Sequence, residues 1–301
     1  EQYGSTPLLY GQYFDAPYDI EQTKYWAPMG DKYIKADGPG DIKYESSGKM
    51  LFPRMWNGSD SKYIRFYQSY MEDGGSKVAG AQHKKPTFFQ NLAFFFDYQM
   101  NWMYWRYFMW NFAGRQNDIH SPSPGALFTG NWECGIPFID EYRLGDQSDA
   151  PAYLKENKAK NHYYMLPLLL GIIGIFFQFA RDKRGSWLTF LMFFMTGIAV
   201  VIYLNQPPYQ VRERDYAYAG SFYSFSIWIG LAVAALYSWV QERLDRKDSQ
   251  KPAAGVAASA VIVALTLLVP VQMASENWDD HDRSNRYTAV EMAKNYLNSV
   301  G

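Results

Sequence analysis

Cysteine is almost missing from this chain. Cys134 is the single one in 301 residues, which excludes an intrachain disulfide and any multi-cysteine metal site. Net charge is almost missing as well: 29 basic residues against 30 acidic ones leave −1, so nothing calls for a nucleic-acid partner. The signatures of common soluble enzymes are not found. There is no GxxxxGK[ST], no GxGxxG after a strand, no HExxH and no GxSxG. No secretory leader pattern follows Glu1, and the chain reads as a piece of a longer protein.

What is present is aromatic and apolar, and unevenly placed. Phe, Trp and Tyr make up 18% of the chain, and Tyr and Trp favour membrane–water interfaces. A mean hydropathy of −0.34 averages a polar stretch, 1–160, with an apolar one, 161–275. The expected fold class follows. It is an α-helical membrane protein with four transmembrane helices, preceded by a loop-rich, mixed, outward-facing region that carries an interfacial aromatic helix.

Residues 1–86 are rich in Tyr, Gly, Lys and Asp, and turn formers interrupt them constantly. Lys49–Met55 and Lys62–Tyr70 read as short strands. Residues 87–113 have no internal Gly or Pro. Thr87 is placed to cap a helix there and Gly114 to end it. Asp97 and Arg106 make a lipid-exposed span costly, at roughly 2.5–3.5 kcal/mol for each mid-membrane charge. A helix lying in the interface or packed against membrane helices fits better. The loop 114–150 holds Arg115, Asn117, Asp118, Trp132, Asp140 and Glu141 as candidate site residues. His120 stands alone and reads as a hydrogen-bonding loop residue, because metal sites need three or four convergent ligands. Asp140 and Glu141 read as a solvated pair, since adjacent side chains point apart.

Spans are expected at 161–180, 187–204, 216–240 and 252–275, each near the roughly 20 residues that cross a bilayer. The links 181–186 and 241–251 are basic, with Arg181, Lys183, Arg184, Arg243, Arg246, Lys247 and Lys251, and they fall on one side of this path. The positive-inside rule makes that side cytoplasmic. Residues 1–160, the loop 205–215 and the tail 276–301 then face outward. In the tail, Asp279, Asp280, His281 and Asp282 are contiguous rather than spaced as metal ligands, and they read as a solvated entry to a helix. Helical spacing of Val290, Ala293, Tyr296 and Leu297 reads as the start of a further soluble domain.

The chemistry concentrates in Asn205–Ser221, where Arg212-Glu213-Arg214-Asp215 sit at the outer end of an apolar run. Arg suits phosphate because its planar fork donates two parallel hydrogen bonds and stays charged. A lipid phosphate lies at the depth where a membrane helix ends. Arg212 and Arg214 are therefore candidate lipid-phosphate ligands, while a local ion-pair cluster sealing a helix end is the structural alternative.

WMYWRYFMWNFAGRQND (102–118), GNW with GIPFIDEYRLG (130–145), QPPYQVRERDYAYAGSFYSFSIWIGL (206–231) and ENWDDHDRSNRYTA (276–289) carry a resemblance. They resemble a family of bacterial polytopic membrane proteins related to the animal endoplasmic-reticulum protein O-mannosyltransferase, placed with the GT-C-fold glycosyltransferases. The resemblance runs from about residue 86 onward. It implies a bacterial inner-membrane enzyme that moves a sugar, mannose-like, from a polyprenyl-phosphate donor to Ser or Thr of an exported protein. No cofactor or metal is implied, and the partners are membrane lipid, the lipid-linked sugar and the acceptor protein. The donor-site residues it implies here are Arg212, Arg214 and Arg115, with Glu213, Asp215 and Asp118 as candidate carboxylates. The family's catalytic acid lies in a first outward loop, so the resemblance implies a catalytic base upstream of residue 1 and a fragment that is not a complete enzyme. The alternative is a non-catalytic inner-membrane scaffold or secretion-machinery subunit. A transporter fits less well, because no span carries a charge at its middle.

Overall fold

Turn residues every few positions keep the N-terminal strands short, and each pairs with one partner only. The computed structural model describes residues 6–38, 40–71, 74–121, 123–245, 252–281, 284 and 286–300. Strand β1 (Tyr10–Gln12) pairs antiparallel with β6 (Lys49–Leu51), β2 (Tyr18–Glu21) with β5 (Asp41–Tyr44), and β3 (Lys24–Met29) with β4 (Lys32–Asp37). Most residues of the last two ribbons are exposed, including Tyr18, Ile20, Tyr25, Trp26 and Tyr33.

Lys62–Tyr70 is not a strand. Residues Ser61–Ser69 form helix α1, whose first turn is capped by the Asp60 carboxylate accepting from the Lys62 N–H. Tyr63, Phe66, Tyr67 and Tyr70 recur at helical spacing, and Tyr67 is fully buried on that face. Of Lys49–Met55, only Lys49–Leu51 is strand.

The aromatic segment is helical from the expected start. Thr87 accepts from the Gln90 N–H while Gln90 reaches back to the Thr87 N–H, a complete capping box opening α2 (Phe88–Phe94). The middle, Phe95–Trp105, is wound as a π-helix and continues as α3 (Arg106–Phe112). Phe94, Tyr98, Trp102, Tyr104, Tyr107 and Phe108 are buried, so the stripe is core.

Two compact units are distinguished, and each is taken by itself. The first comprises Glu1–Phe108, His120–Gly125 and Trp187–Phe225. In it, α7 (Lys183–Thr196) is followed after Gly197 by α8 (Ile198–Leu204). Gly197 is required there, because a Cβ would lie 2.7 Å from the Tyr104 hydroxyl and 2.8 Å from the Ser221 Cβ. The α8 helix ends at Asn205 in the left-handed conformation (φ 40°), a role Asn fills more readily than most residues.

The second unit comprises Met109–Ile119, Ala126–Ser186 and Ser226–Gly301. Strand β7 (Gly114–Arg115) pairs with β8 (Asn161–His162), and α4 (Pro137–Leu144) and α5 (Ala152–Lys155) lie between them in sequence. Helix α6 (Leu166–Arg181) has 16 residues and starts five residues later than the expected span from 161. The reason is local: Asn161 and His162 are held in β8, Tyr164 and Met165 have positive φ, and Pro167 sits in the first turn of the helix. At 1.5 Å per residue α6 is about 24 Å long, short of the ~30 Å hydrocarbon core. Helix α9 (Ala219–Asp245) enters this unit from Ser226, and Gly174 of α6 lies against it: a Cβ there would sit 1.8 Å from the Trp228 carbonyl oxygen. Trp228 Nε1 donates to Gln178 Oε1 (2.7 Å), and Arg181 pairs with Glu242 (2.8 Å). Helix α10 (Pro252–His281) runs through Trp278, and α11 (Thr288–Ser299) covers the expected tail helix, with Val290, Tyr296 and Leu297 exposed. Arg246, Lys247, Lys251 and Asp282 lie outside the described residues.

Among the described residues, three helices are long and apolar enough to cross a membrane: Lys183–Leu204, Asp215–Arg243 and Gly255–Trp278. Their exposed Leu188, Leu191, Leu265 and Val271 suit a lipid surround better than water. The chain thus has the character of a helical membrane protein with a small sheet-bearing N-terminal region.

Candidate functional site

The loop after α8 is anchored before it reaches its charges. Buried Asn205 donates through Nδ2 to the carbonyls of Pro7 (2.8 Å) and Pro53 (2.9 Å), and its Oδ1 accepts from Gln99 (3.0 Å). Its own carbonyl accepts from the Trp56 indole N–H (2.8 Å). Arg54, also buried, donates to the Ile202 and Leu8 carbonyls, and burial pulls its guanidinium down to about 10. The N-terminal segment therefore fixes the loop's origin, a role that nothing in its own sequence pattern signals.

The charges that follow divide into two kinds. Glu213 is an occupied carboxylate. Arg106 approaches it through Nη1 (3.3 Å) and Nη2 (2.7 Å), the Tyr107 hydroxyl donates to Oε2, the Ser121 N–H donates to Oε1 (3.0 Å), and His120 Nδ1 is 3.2 Å away. Burial pushes the Glu213 carboxyl up, but the bonds and charge of Arg106, with Tyr107 and Ser121, outweigh it and hold the group below its ordinary value. Burial pushes the Tyr107 phenol well up, which keeps it a proton donor. Arg106 itself is 3% exposed, donates through Nε to the Trp102 carbonyl, and lies 4.1 Å over the Trp102 ring. A carboxylate with every lone-pair direction engaged is poorly placed to take a proton from a substrate. Glu213 is better read as a positioning residue than as the base its sequence place suggested.

Arg212 and Arg214 are different. Arg212 is exposed, its guanidinium 5.9 Å from the Tyr216 ring. Arg214 is half-buried, its backbone N–H donates to the Tyr107 hydroxyl (3.3 Å), and its buried Nε has no hydrogen-bond partner among the described residues. Arg214 lines a cavity of about 280 Å³ together with Gln206, Tyr209, Trp56 and Tyr63. Asp215, half-buried, opens the short 3₁₀ turn Asp215–Tyr218 that leads into α9.

In the second unit the candidates from the GRQND loop each have partners within the protein. Arg115 donates to the Asn117 carbonyl (3.1 Å) and lies 4.3 Å over the Trp110 ring. Asn117 is buried and holds the Phe128 carbonyl and the Gly130 and Ile119 N–H groups, and Asp118 accepts from Asn157 (3.0 Å). Arg143 lies 3.3 Å over the Trp132 ring and donates to the Trp132 carbonyl. Asp140 and Glu141 are not a solvated pair. Glu141 is exposed, but Asp140 is buried at the first turn of α4 and accepts from the backbone N–H groups of Cys134 (3.0 Å) and Gly135 (2.7 Å). A carboxylate at a helix N-terminus satisfying free amides explains that burial. Burial, with the Asp140 charge, pushes the Cys134 thiol up to about 11, so it stays a thiol.

This unit also holds a cluster that no motif announced. Glu133 Oε1 accepts from Lys160 (3.0 Å) and His162 Nε2 (3.1 Å), and the His162 N–H donates to Glu276 (3.1 Å). Burial pushes the Glu133 carboxyl up, and His162 with Lys160 more than reverses this. Among the described residues no group of three or more His, Cys, Asp or Glu is arranged to hold a metal ion.

Residues 4–96 match a family of unknown function (DUF8416), less than a third of the chain. No curated protein and no solved structure matches it.

Proposed function

We propose that this chain is part of a membrane glycosyltransferase of the GT-C type, in the bacterial inner membrane. It transfers a sugar, mannose-like, from a polyprenyl-phosphate donor to Ser or Thr of an exported protein. In this reading α6 joins the three longer helices as a fourth span, and residues 1–160 and 276–301 face the periplasm. The observation that carries the proposal is Arg214, a cation that lines a cavity and whose buried Nε has no hydrogen-bond partner among the described residues, at the end of an apolar helix. That chemistry suits a phosphate, and in this reading the end of the helix lies at the depth of a lipid headgroup. The resemblance of 206–231 to the O-mannosyltransferase-related family supports the same assignment.

The reaction needs few parts. The acceptor hydroxyl oxygen forms a bond to the anomeric carbon on the face opposite the phosphate, and its proton passes to a carboxylate. The bond from that carbon to the phosphate oxygen breaks, and the polyprenyl phosphate leaves with the electron pair. Arg214 and Arg212 stabilise the charge gathering on it. Glu213, held by Arg106 and Tyr107, keeps the backbone of Arg214 in place. The base is then another carboxylate. Asp215 is the one nearest in sequence, and the resemblance puts the base upstream of residue 1.

The experiment is Arg214→Ala in the full-length protein, read as glycan attached to exported proteins. Loss of the glycan by at least tenfold with normal membrane levels of the variant is expected. Unchanged glycosylation by a folded variant would sink the assignment. A scaffold is the second reading, favoured by the exposed Tyr18, Tyr25, Trp26 and Tyr33 of the N-terminal ribbons. It requires those side chains, and not Arg214, to be needed in cells.

A further inference from the structure

We infer that the cavity beneath the Gln206–Arg214 loop is a binding site for a neutral polyhydroxyl ring, with Gln206 as the residue that reads its hydroxyl groups. This rests on the proposal that Arg214 meets the phosphate of the same ligand. Gln206 is 5% exposed and lines the cavity, yet neither Nε2 nor Oε1 of its side chain has a hydrogen-bond partner among the described residues. A buried amide without partners is costly, and native interiors rarely tolerate one unless a ligand or water completes it. The neighbouring Gln99 adds a buried unpartnered Oε1 while its Nε2 is committed to Asn205 and the Gln206 carbonyl.

The chemistry of the unfilled valences selects the ligand. An amide offers one acceptor and two donors and carries no charge. A hydroxyl is both donor and acceptor, so a ring bearing several matches Gln206 in either sense. A second phosphate would leave Oε1 facing an anion, and an apolar group would leave both ends unpaired. The cavity walls agree. Trp56, Tyr63 and Tyr209 present ring surface, and the Trp56 indole is held in place through its N–H to the Asn205 carbonyl. At about 280 Å³ the cavity is at the small end of ligand sites, sized for one ring and not for a lipid tail. Arg214 is the cationic residue on the same wall. One ring beside one cation is the outline of a sugar phosphate. The N-terminal segment, through Trp56 and Tyr63, becomes part of the sugar site and not a surface cover.

Two probes separate the parts: polyprenyl phosphate without a sugar, and the same lipid carrying a single hexose. Both are titrated against the full-length protein in nanodiscs, as wild type, Gln206→Leu and Gln206→Glu. Gln206→Leu should weaken the sugar-bearing lipid about tenfold, the loss of one or two neutral hydrogen bonds, and leave the bare lipid within twofold. Gln206→Glu, which keeps the shape and an acceptor, should retain more of the sugar preference than Leu. Equal binding of both lipids by wild type and Gln206→Leu overturns the assignment of Gln206 while Arg214 stands. If wild type binds neither lipid, the phosphate reading of Arg214 falls as well. Thermal unfolding of each variant within about 2–3 °C of wild type separates lost recognition from lost fold.

Discussion

Replacing Glu213 with Ala should destabilise the protein more than it alters any chemistry directly. Arg106 is 3% exposed and Glu213 15%, and their nearest atoms are 2.7 Å apart. The substitution removes two charge-assisted contacts from a guanidinium that remains buried, and it strips the Tyr107 hydroxyl and the Ser121 N–H of their acceptor. Breaking a buried pair from one side costs about 3–5 kcal/mol, because the remaining charge is left uncompensated. Adding Arg106→Leu to Glu213→Ala removes that charge as well, so the double variant should recover much of the loss, with a coupling energy of about 2–4 kcal/mol. The assay is equilibrium unfolding of the purified full-length protein in mixed micelles, read by Trp fluorescence, for wild type, both single variants and the double. A Glu213→Ala variant within about 1 kcal/mol of wild type, with no coupling to Arg106→Leu, would refute the clamp and return Glu213 to the list of candidate bases.

Two further outcomes are expected. Glu133→Gln should flatten the acid side of the stability curve: the folded Glu133 carboxyl lies below its ordinary value of 4.5, so its contribution is present above that pH and lost as pH falls through the folded value. Melting temperatures from about pH 6 to pH 3 check this, and an unchanged acid slope in the variant contradicts it. Gly174→Ala should force α6 away from α9, since the new Cβ would meet the Trp228 carbonyl at 1.8 Å, and should cost about 1–3 kcal/mol in the same unfolding assay. An equally stable variant would contradict a close contact between α6 and α9.

The membrane character of this chain was legible because length and hydrophobicity of a run are local properties. Runs such as 187–204 and 252–275 are apolar whatever they pack against, and helices are found over both. The capping box at Thr87 was equally local, since its two bonds span three residues. The shortening of the first span was half-visible in Pro167, but not the β8 pairing with Gly114–Arg115 that claims Asn161 and His162. Asp140 was misread because adjacency to Glu141 says nothing of the free amides at Cys134 and Gly135 that bury it.

The sequence by itself determined that Arg212 to Asp215 would lie at the end of an apolar helix, because charge cannot follow a chain into hydrocarbon cheaply. It also implies a partner for Arg106, since an arginine inside an aromatic helix needs an acid if it is buried. Only the tertiary structure decided which acid that is, 107 positions along the chain, and so made Glu213 a clamp and not a free carboxylate. Only the tertiary structure left Gln206 buried with both amide ends unpaired, since its neighbour Asn205, one residue away with the same functional group, makes three side-chain bonds. Satisfaction of a polar group depends on what distant segments bring to it, and no local pattern records that.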